Sequence, residues 1–393
     1  MADATANDRL AVFYDERVLD HDTGAGFFEA RPSDLLPIAE THPENADRIR
    51  NIHGVLVNGP LSAFIDWHGA SPVTNPQLAR FHQRSYLAAI ESELAGGEWW
   101  PTSTTRFTSG SLDPARVAAG LALAAAEHVW SGRGPIAYAL CRPPGHHAQP
   151  FTADGYCLYN NIGVAIEELR AHGLGRTAVI DWDVHHGNGT QEGFYTDPDV
   201  VTISIHMDHG AWGPTHRQTG GADEVGSGPG VGANVNVPLR YGAGDTTYLR
   251  VFDEIVVPAV EAAAPEMIFV ANGQDANQFD PNGRQNLTMD GFHQLGLRTH
   301  ELAEELCDGR IVAVQEGGYA LSYTAYCAHA GLAGLLGRDV ELDDPVAFLP
   351  DHADDLDNLV EGLIATRRAA IGGTSARSAL ASSRSGMVIS SSE

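Results

Sequence analysis

The sequence predicts a single α/β domain built on a parallel sheet with helices on both faces. Short apolar runs alternate with segments of helical periodicity through most of the 393 residues. A strand, a helix and a second strand in succession favour right-handed crossovers between parallel strands, so the alternation predicts an open, doubly wound sheet. No internal repeat or interdomain linker interrupts the pattern. We therefore expect one domain over residues 1–371 and a disordered Ser/Ala/Gly-rich tail over 372–393.

The individual elements follow from two periodicities. Runs of β-branched and other apolar residues, four to eight long and bounded by polar or glycine positions, predict buried strands. These runs are IAYALC at 136–141, TAVIDW at 177–182, VVTISIH at 200–206, MIFVANG at 267–273 and IVAVQEGG at 311–318. Apolar residues that recur every three or four positions predict helices between them. The helical segments are 115–130, 161–173, 245–264 and 290–306.

The charge balance excludes one class of partner. Asp and Glu number 51 against 24 basic residues, all of them arginine, which gives a net charge of −27. Such a chain repels nucleic acid, so we expect no direct DNA or RNA binding. The acidity indicates a protein that stays soluble in concentrated salt, as in a halophile. The alternative interpretation is that the charge attracts cationic substrates, although strong salt would screen that attraction.

The sequence contains few signals that indicate a cellular compartment. The acidic N-terminal stretch has no continuous apolar run of the kind found in a secretory signal. No apolar run approaches the roughly 20 residues of a membrane span. The four cysteines lack CxxC spacing, so neither a disulfide framework nor a zinc ribbon is indicated. A reduced, cytoplasmic protein without a membrane contact is the expectation, and the sequence leaves open whether it is a homo-oligomer.

Polar motifs follow four of the predicted strands. CRPPGHHA comes after IAYAL, DWDVHHGN after TAVI, GQD after MIFVAN, and EGGY after IVAVQ. In open α/β sheets, ligands bind beyond the carboxyl ends of the strands. The sequence therefore predicts one site assembled from four segments that are distant along the chain. A long Gly-rich loop at 208–232 is a further candidate for function, because loops of this length in compact domains are uncommon.

The segment DWDVHHGNGT at 181–190 predicts a metal site. Asp183 and His185 are two positions apart, so on an extended backbone both side chains point the same way and can reach one ion. Asp275, at the end of another strand, can supply a third ligand. Two oxygens and one nitrogen suit zinc, and iron or cobalt stay open as alternatives. The competing interpretation is a hydrogen-bonded structural network without metal.

Two adjacent histidines suit two different proton-transfer roles. His146 and His147 follow a Pro-Pro-Gly turn. Asp181 can orient one of them and stabilise its positive charge, whereas Asn188 can orient the other without adding negative charge. An imidazole beside a carboxylate keeps its proton more readily than one beside an amide. One histidine is therefore expected to be cationic and the other to be a neutral base.

Taken together and in this order, RPPGHHA, DWDVHHGNGT, NGQDANQFDP and QEGGY resemble the histone deacetylase superfamily. The resemblance is strongest to the class II type, in particular to the histone deacetylase-like amidohydrolases of bacteria and archaea. It runs from about residue 21 to about residue 370. It implies an arginase-like α/β fold and an enzyme that uses one catalytic zinc ion, held by Asp183, His185 and Asp275.

The resemblance also assigns catalytic roles. His146 matches the histidine that an aspartate supports, here Asp181. His147 matches the general base, supported here by Asn188, and an amide at this position is the class II form. Tyr319 matches the tyrosine that hydrogen-bonds the oxyanion. Relatives with histidine in its place are poor catalysts on acetyl-lysine, so tyrosine here favours a competent enzyme.

Further positions match the family's substrate tunnel and product channel. Tyr156 stands where the family has phenylalanine, and Trp212 is the candidate for the opposite wall, with core packing as the alternative for both aromatics. Gln274 replaces an apolar aromatic and is expected to hydrogen-bond Asp275. Arg48 resembles the arginine of an internal acetate channel. Three glycines complete the tunnel prediction, of which the last two would also let Tyr319 move: Gly155, Gly317 and Gly318.

The family also holds potassium through backbone carbonyl groups, which leave little signature in the side chains. The positions that match the first potassium site are Asp181, Asp183, His185, Ser204 and Ile205. Those that match the second are Phe194, Asp197 and Val200.

The function implied is removal of the acetyl group from Nε-acetyl-lysine in proteins, with release of acetate. The first alternative is an amidohydrolase for acetylated polyamines or other small acylated amines. A two-metal ureohydrolase of the arginase type is disfavoured because His147 and Tyr319 have no obvious use in it. A non-enzymatic acetyl-lysine reader is disfavoured by Tyr319.

Overall fold

The structure is a computed structural model that describes residues 9–24, 34–35, 37–38, 40–209 and 219–347. Within these residues, eight strands form one parallel sheet, and two short strands pair antiparallel. The parallel strands are β1 (Leu10–Phe13), β2 (Ile65–His68), β5 (Ile136–Ala139), β6 (Thr177–Asp181), β7 (Val200–Met207), β8 (Asn234–Leu239), β9 (Met267–Asn272) and β10 (Ile311–Gln315). The antiparallel pair is β3 (Glu98–Trp99) with β4 (Phe107–Thr108).

Helices cover both faces of this sheet, as the sequence predicted. Every residue of the central strands β5, β6, β9 and β10 is buried. Because successive side chains of a strand point to opposite faces, burial of every residue requires cover on both sides. The helices are α1 (Ala46–Asn58), α2 (Asn75–Phe81), α3 (Arg84–Leu94), α4 (Leu112–Trp130), α5 (Asn161–Arg170), α6 (Asn188–Phe194), α7 (Asp245–Val251), α8 (Val257–Ala263), α9 (Met289–Cys307) and α10 (Tyr323–Leu335).

Side-chain caps explain where two of the helices begin. The Asn160 side chain accepts a hydrogen bond from the backbone N–H of Gly163, at the start of α5. The Thr288 side chain does the same for Gly291, at the start of α9. Each cap satisfies one of the backbone N–H groups that have no partner inside the helix. These caps place both helix starts within two residues of the sequence-based predictions.

The predicted helix at 245–264 has an irregular centre. It consists of α7, a π-helical turn at Phe252–Val256 and α8. Pro258 lies at the start of α8 and has no backbone N–H to donate. The wider π turn directly before it lets the chain remain helical where the regular hydrogen-bond ladder is interrupted.

The strand order is β2-β1-β5-β10-β9-β6-β7-β8. The four strands that precede the polar motifs, β5, β10, β9 and β6, are therefore consecutive neighbours in the sheet. Because they are parallel, all four motifs emerge at the same edge. The topology thus gathers segments that lie as far apart in sequence as residues 146 and 319.

Several predictions concern residues outside the described ranges. They include Trp212, part of the Gly-rich loop and the tail at 372–393. The boundary of the domain at residue 371 stays a prediction as well. Within the described part of the chain, no helix is both long enough and apolar enough to span a membrane.

Candidate metal and catalytic site

The structure brings Asp183, His185 and Asp275 together at the edge of the sheet. All three are buried, and one potential ligand atom from each lies within 4.8 Å of the other two. The Nδ1 atom of His185 is 3.2 Å from Asp183 Oδ1 and 3.0 Å from Asp275 Oδ2. Asp183 and His185 come from the segment after β6, and Asp275 comes from the segment after β9.

This set fits a divalent metal ion on its own chemistry. Two buried carboxylates at this separation repel each other, and burial of negative charge is costly unless a cation compensates it. Asp275 Oδ2 is buried and receives no hydrogen bond from any of the described residues. The other oxygen, Oδ1, accepts from the backbone N–H of Val184 at 2.7 Å, which fixes the carboxylate and aims Oδ2 at His185. Two oxygens and one imidazole nitrogen suit zinc and other divalent transition metals.

A glycine makes this close arrangement fit. The backbone N–H of Gly317 donates to Asp183 Oδ2 at 2.8 Å. A Cβ at position 317 would collide with carboxylate oxygens of both Asp183 and Asp275. The next residue, Gly318, has a φ of +121°, which L side chains rarely adopt. The two glycines therefore carry the backbone past the carboxylates and turn it towards Tyr319.

His146 is paired with a carboxylate. Its Nδ1 lies 3.0 Å from Asp181 Oδ2, and its Nε2 lies 3.7 Å from Asp183 Oδ1. Burial alone lowers the pKa of this imidazole, but the nearby negative charges of Asp183 and Asp181 outweigh it and hold the pKa well above the usual value. The two carboxylates therefore favour the protonated, cationic form of His146.

His147 has the opposite environment. Its Nδ1 lies 2.7 Å from the Oδ1 atom of Asn188. Burial, followed by the positive charge of the adjacent His146, lowers the pKa of His147 to about 3. The two imidazoles thus differ in pKa in the direction expected from their partners, although their ring centroids are only 4.1 Å apart.

Tyr319 lies close to this group. Its ring meets that of Tyr156 edge to face, with centroids 6.0 Å apart, and the guanidinium of Arg48 lies 5.2 Å from the ring centre. Burial holds the pKa of the Tyr319 hydroxyl well above its ordinary value. The hydroxyl therefore stays protonated and can donate a hydrogen bond.

Two buried acids that the sequence analysis gave no role hold these residues in place. Asp280 Oδ2 accepts from the backbone N–H groups of Tyr319 at 2.7 Å and Ala320 at 3.2 Å. Glu316 Oε2 accepts from the N–H groups of Gly145 at 2.6 Å and His146 at 3.0 Å. Both acids lie inside motifs quoted from the sequence, NGQDANQFDP and QEGGY. For Glu316 the available signal was an acid directly after the buried strand β10, whereas Asp280 lies in the loop after β9 and has no such signal.

Arg48 lies fully buried behind Tyr319. Its Nη1 donates to the carbonyl of Glu316 at 2.9 Å, and its Nε donates to Glu44 Oε1 at 3.3 Å. Its Nη2 has no hydrogen-bond partner among the described residues. A buried cationic donor without a partner suits a small anion such as acetate, so the channel assignment stays a prediction with this atom as its candidate contact.

Of the two aromatic residues predicted to line the substrate tunnel, Tyr156 lies among the described residues. Tyr156 has a φ of +69°, unusual for a bulky residue, and packs between His42 and Tyr319. A Cβ at Gly155 would collide with the ring of His147, so the glycine allows this backbone to approach the histidine. Tyr156 therefore borders the site. The opposite wall, assigned to Trp212, lies outside the described residues.

The expectation for Gln274 is wrong. Its amide nitrogen donates to the carbonyl of Asn272 at 2.8 Å, and its amide oxygen accepts from Gln315 at 2.9 Å. The bond from Gln315 links the end of β10 to the segment after β9, and the Gln274 side chain makes no hydrogen bond to Asp275. Nothing in the local sequence around Gln274 indicates that Gln315, on a neighbouring strand, satisfies this amide.

The residues assigned to potassium lie along two adjacent strands and their ends. Asp181 on β6 and Ser204 on β7 are register partners, and Ile205 follows on β7. In the second set, the carbonyl of Phe194 accepts from the N–H of Asp197 at 2.9 Å, just before β7 begins at Val200. Both potassium assignments stay predictions.

A parallel eight-stranded sheet with this buried Asp-His-Asp set at its carboxyl edge has the arginase/deacetylase fold. Residues 42–335 match the histone deacetylase domain. Among solved structures, the crystal structure of the HDA15 HD domain superposes with a TM-score of 0.72 and 34% identity, covering 84% of this chain and 90% of that one.

Known proteins give the same result. The chain is 44% identical over 348 residues to Histone deacetylase 8 of Arabidopsis thaliana, covering 88% of this chain and 92% of that protein. It is 38% identical over 343 residues to the Histone deacetylase-like amidohydrolase of Pseudomonas aeruginosa, covering 86% and 89%. It is 38% identical over 272 residues to a probable deacetylase of Archaeoglobus fulgidus, covering 69% and 74%. The chain therefore belongs to the histone deacetylase family, a family of hydrolases.

Proposed function

We propose that this protein is a zinc-dependent deacetylase that removes acetyl groups from Nε-acetyl-lysine in proteins and releases acetate. The observation that supports this most directly is the convergence of Asp183, His185 and Asp275 beside His147 and Tyr319. A metal-ligand set, a neutral imidazole and a protonated phenol together suit metal-assisted hydrolysis of an unactivated amide. The names of the relatives, deacetylase and amidohydrolase, point to the same bond.

The residues of this chain divide the proton transfers among them. A zinc ion held by Asp183, His185 and Asp275 would supply Lewis-acid chemistry at the site. The Nε2 atom of His147 accepts a proton from the water that attacks the carbonyl carbon, and later delivers it to the departing amine nitrogen. The hydroxyl of Tyr319 donates a hydrogen bond to the carbonyl oxygen as negative charge develops there.

His146 has an electrostatic role in this scheme. As a cation beside Asp181, it places positive charge next to His147, whose ring centroid is 4.1 Å from its own. Burial, followed by that charge, keeps His147 neutral before the reaction and so available as a base. The products are a free lysine amine and acetate, and Arg48 is the candidate group to receive the acetate anion.

The substrate class is tested by the rate of acetate release from matched amides. We expect zinc-loaded protein to hydrolyse an acetyl-lysyl peptide with a higher kcat/KM than acetylputrescine or acetylspermidine, with chelator-treated protein as the control. A preference for the polyamines would favour the small-amine alternative. Release of acetate from none of these, with the peptide bound, would contradict the deacetylase proposal and favour a reader. Two tightly bound transition-metal ions per chain would favour the ureohydrolase.

We further propose that the acidity of the chain is an adaptation to concentrated salt. The net charge is −27, so the excess carboxylates repel one another in the compact state, and dissolved ions screen that repulsion. We expect the free energy of unfolding to rise with KCl into the molar range and deacetylation to persist there. Chemical unfolding curves in KCl, with sucrose at matched osmolality as the control, measure this. Full stability in dilute buffer and no gain with salt would contradict it.

A further inference from the structure

The hydrogen-bonded pair formed by His147 and Asn188 extends to a third residue, Asp154. The amide nitrogen Nδ2 of Asn188 donates to Asp154 Oδ2 at 2.8 Å. Asp154 is 6% exposed and His147 is 7% exposed, so water has little access to this chain of groups. Asp154 lies in the segment ADGYC, next to the glycine that lets the backbone approach His147.

The hydrogen-bonding character of each group fixes the orientation of the next one. An ionised carboxylate can only accept, so the side of the Asn188 amide that faces Asp154 must be the N–H₂ side. The Asn188 oxygen then faces His147, and an oxygen can only accept. The proton of neutral His147 must therefore be on Nδ1, which leaves the lone pair on Nε2.

Asparagine alone does not impose this state. A neutral imidazole can accept at Nδ1 as well as donate from it, and a rotated amide would donate its N–H₂ to an unprotonated Nδ1. In that rotated state the imidazole proton is on Nε2, and Nε2 can no longer accept a proton from water. The two states have the same number of hydrogen bonds at His147, so only the group on the far side of Asn188 distinguishes them.

We propose that Asp154 is a positioning residue that selects the Nδ1–H tautomer of His147 by fixing the orientation of the Asn188 amide. The inference rests on the proposed function, in which Nε2 of His147 is the base. It explains how an amide can replace a charged partner next to a general base. The negative charge of Asp154 lies one residue further from His147. It acts by fixing which side of the Asn188 amide faces the imidazole.

The substitution Asp154→Asn tests the orientation directly. In the native protein Oδ1 of Asp154 accepts from the N–H of Gly155 at 2.8 Å, and Oδ2 accepts from Asn188. The Gly155 N–H belongs to the backbone and cannot turn round, so the oxygen of the new amide stays there. Its N–H₂ then faces Asn188, which must rotate and present its own N–H₂ to His147.

We expect Asp154→Asn to lower kcat by roughly 10²-fold, the order of magnitude of a lost general base. The KM for the peptide and the zinc content should be unchanged, because the substitution keeps the shape of the side chain and leaves the three proposed metal ligands in place. Asp308→Asn is the matched control, since Asp308 is exposed in a left-handed position that asparagine also tolerates. We expect the control to keep the wild-type kcat.

A reciprocal exchange separates orientation from loss of charge. In the double variant Asp154→Asn, Asn188→Asp, an amide at 154 donates to a carboxylate at 188, which accepts from Nδ1–H of His147. The total charge equals that of the native protein and the required tautomer is restored. We expect kcat to recover by at least about tenfold over Asp154→Asn, in line with the share of rate carried by a correctly oriented base.

The tautomer itself can be observed without any turnover. Nitrogen-15 NMR of histidine-labelled, zinc-loaded protein distinguishes Nδ1–H from Nε2–H, and the His147 signals are assigned by their loss in His147→Gln. We expect Nδ1–H in the native protein and Nε2–H in Asp154→Asn. Nδ1–H in both, or a double variant no faster than Asp154→Asn, would overturn the inference. Inactivity of the native protein with Nδ1–H present would instead contradict only the proposed function.

Discussion

Replacing Asp275 by asparagine is expected to abolish deacetylation because the protein loses its metal ion. The substitution keeps the shape of the side chain, and the amide oxygen can still accept from the N–H of Val184. The change removes the negative charge of the atom that faces His185. Groups that only support a metal ligand alter affinity by about 10–100-fold when they are replaced, so the loss of a direct ligand should exceed about 10²-fold.

Metal content by elemental analysis, metal affinity by competition with a chelator, and kcat/KM at limiting zinc measure this effect. Thermal unfolding supplies a second readout, because a ligand that binds only the folded state raises Tm. We expect zinc to raise the Tm of the native protein and of Asp308→Asn, and to raise that of Asp275→Asn much less. A variant that retains zinc with native affinity would remove Asp275 from the proposed ligand set.

The sequence predicted the centre of the sheet better than its edges. The five strands it identified are continuous apolar runs, which is the signature of burial on both faces. The strands it missed lie at or near the two ends of the sheet. β2 reads IDWH with two exposed positions, and β8 reads NVNVPL, in which Asn alternates with Val and a proline is tolerated at the edge. α10 was missed because it is apolar all round and has no polar face to reveal its period.

The residues of the candidate site also differ in how readily the sequence reveals them. The residues Asp183, His185 and His147 could be found because short spacing and strand ends reveal them locally. Asp154 and Asp280 could not, because their roles depend on which backbone N–H or amide group lies opposite in space. An isolated acid in a loop looks the same in sequence whether it is solvated or buried. Only the fold distinguishes the two, by bringing residues up to 40 positions apart within hydrogen-bond distance of these acids.

Replacing Tyr319 by phenylalanine is expected to lower turnover while the protein keeps its zinc. The ring would still pack against Tyr156 and over Arg48, so the fold and the backbone bonds to Asp280 should persist. Only the hydroxyl is lost, and with it the proposed hydrogen bond to the carbonyl oxygen in the transition state. Removal of one such donor costs about 10²–10³-fold in kcat.

The comparison of kcat with KM distinguishes this role from simple packing. A donor that acts on charge developed in the transition state lowers kcat and kcat/KM together, whereas a contact to the ground-state substrate raises KM alone. Tyr156→Phe is the matched control, because it removes a hydroxyl from the neighbouring ring and restores the residue usual in the family. Unchanged turnover in Tyr319→Phe would remove Tyr319 from the mechanism. Loss of zinc would show instead that the segment from Gly317 to Tyr319 shapes the metal site.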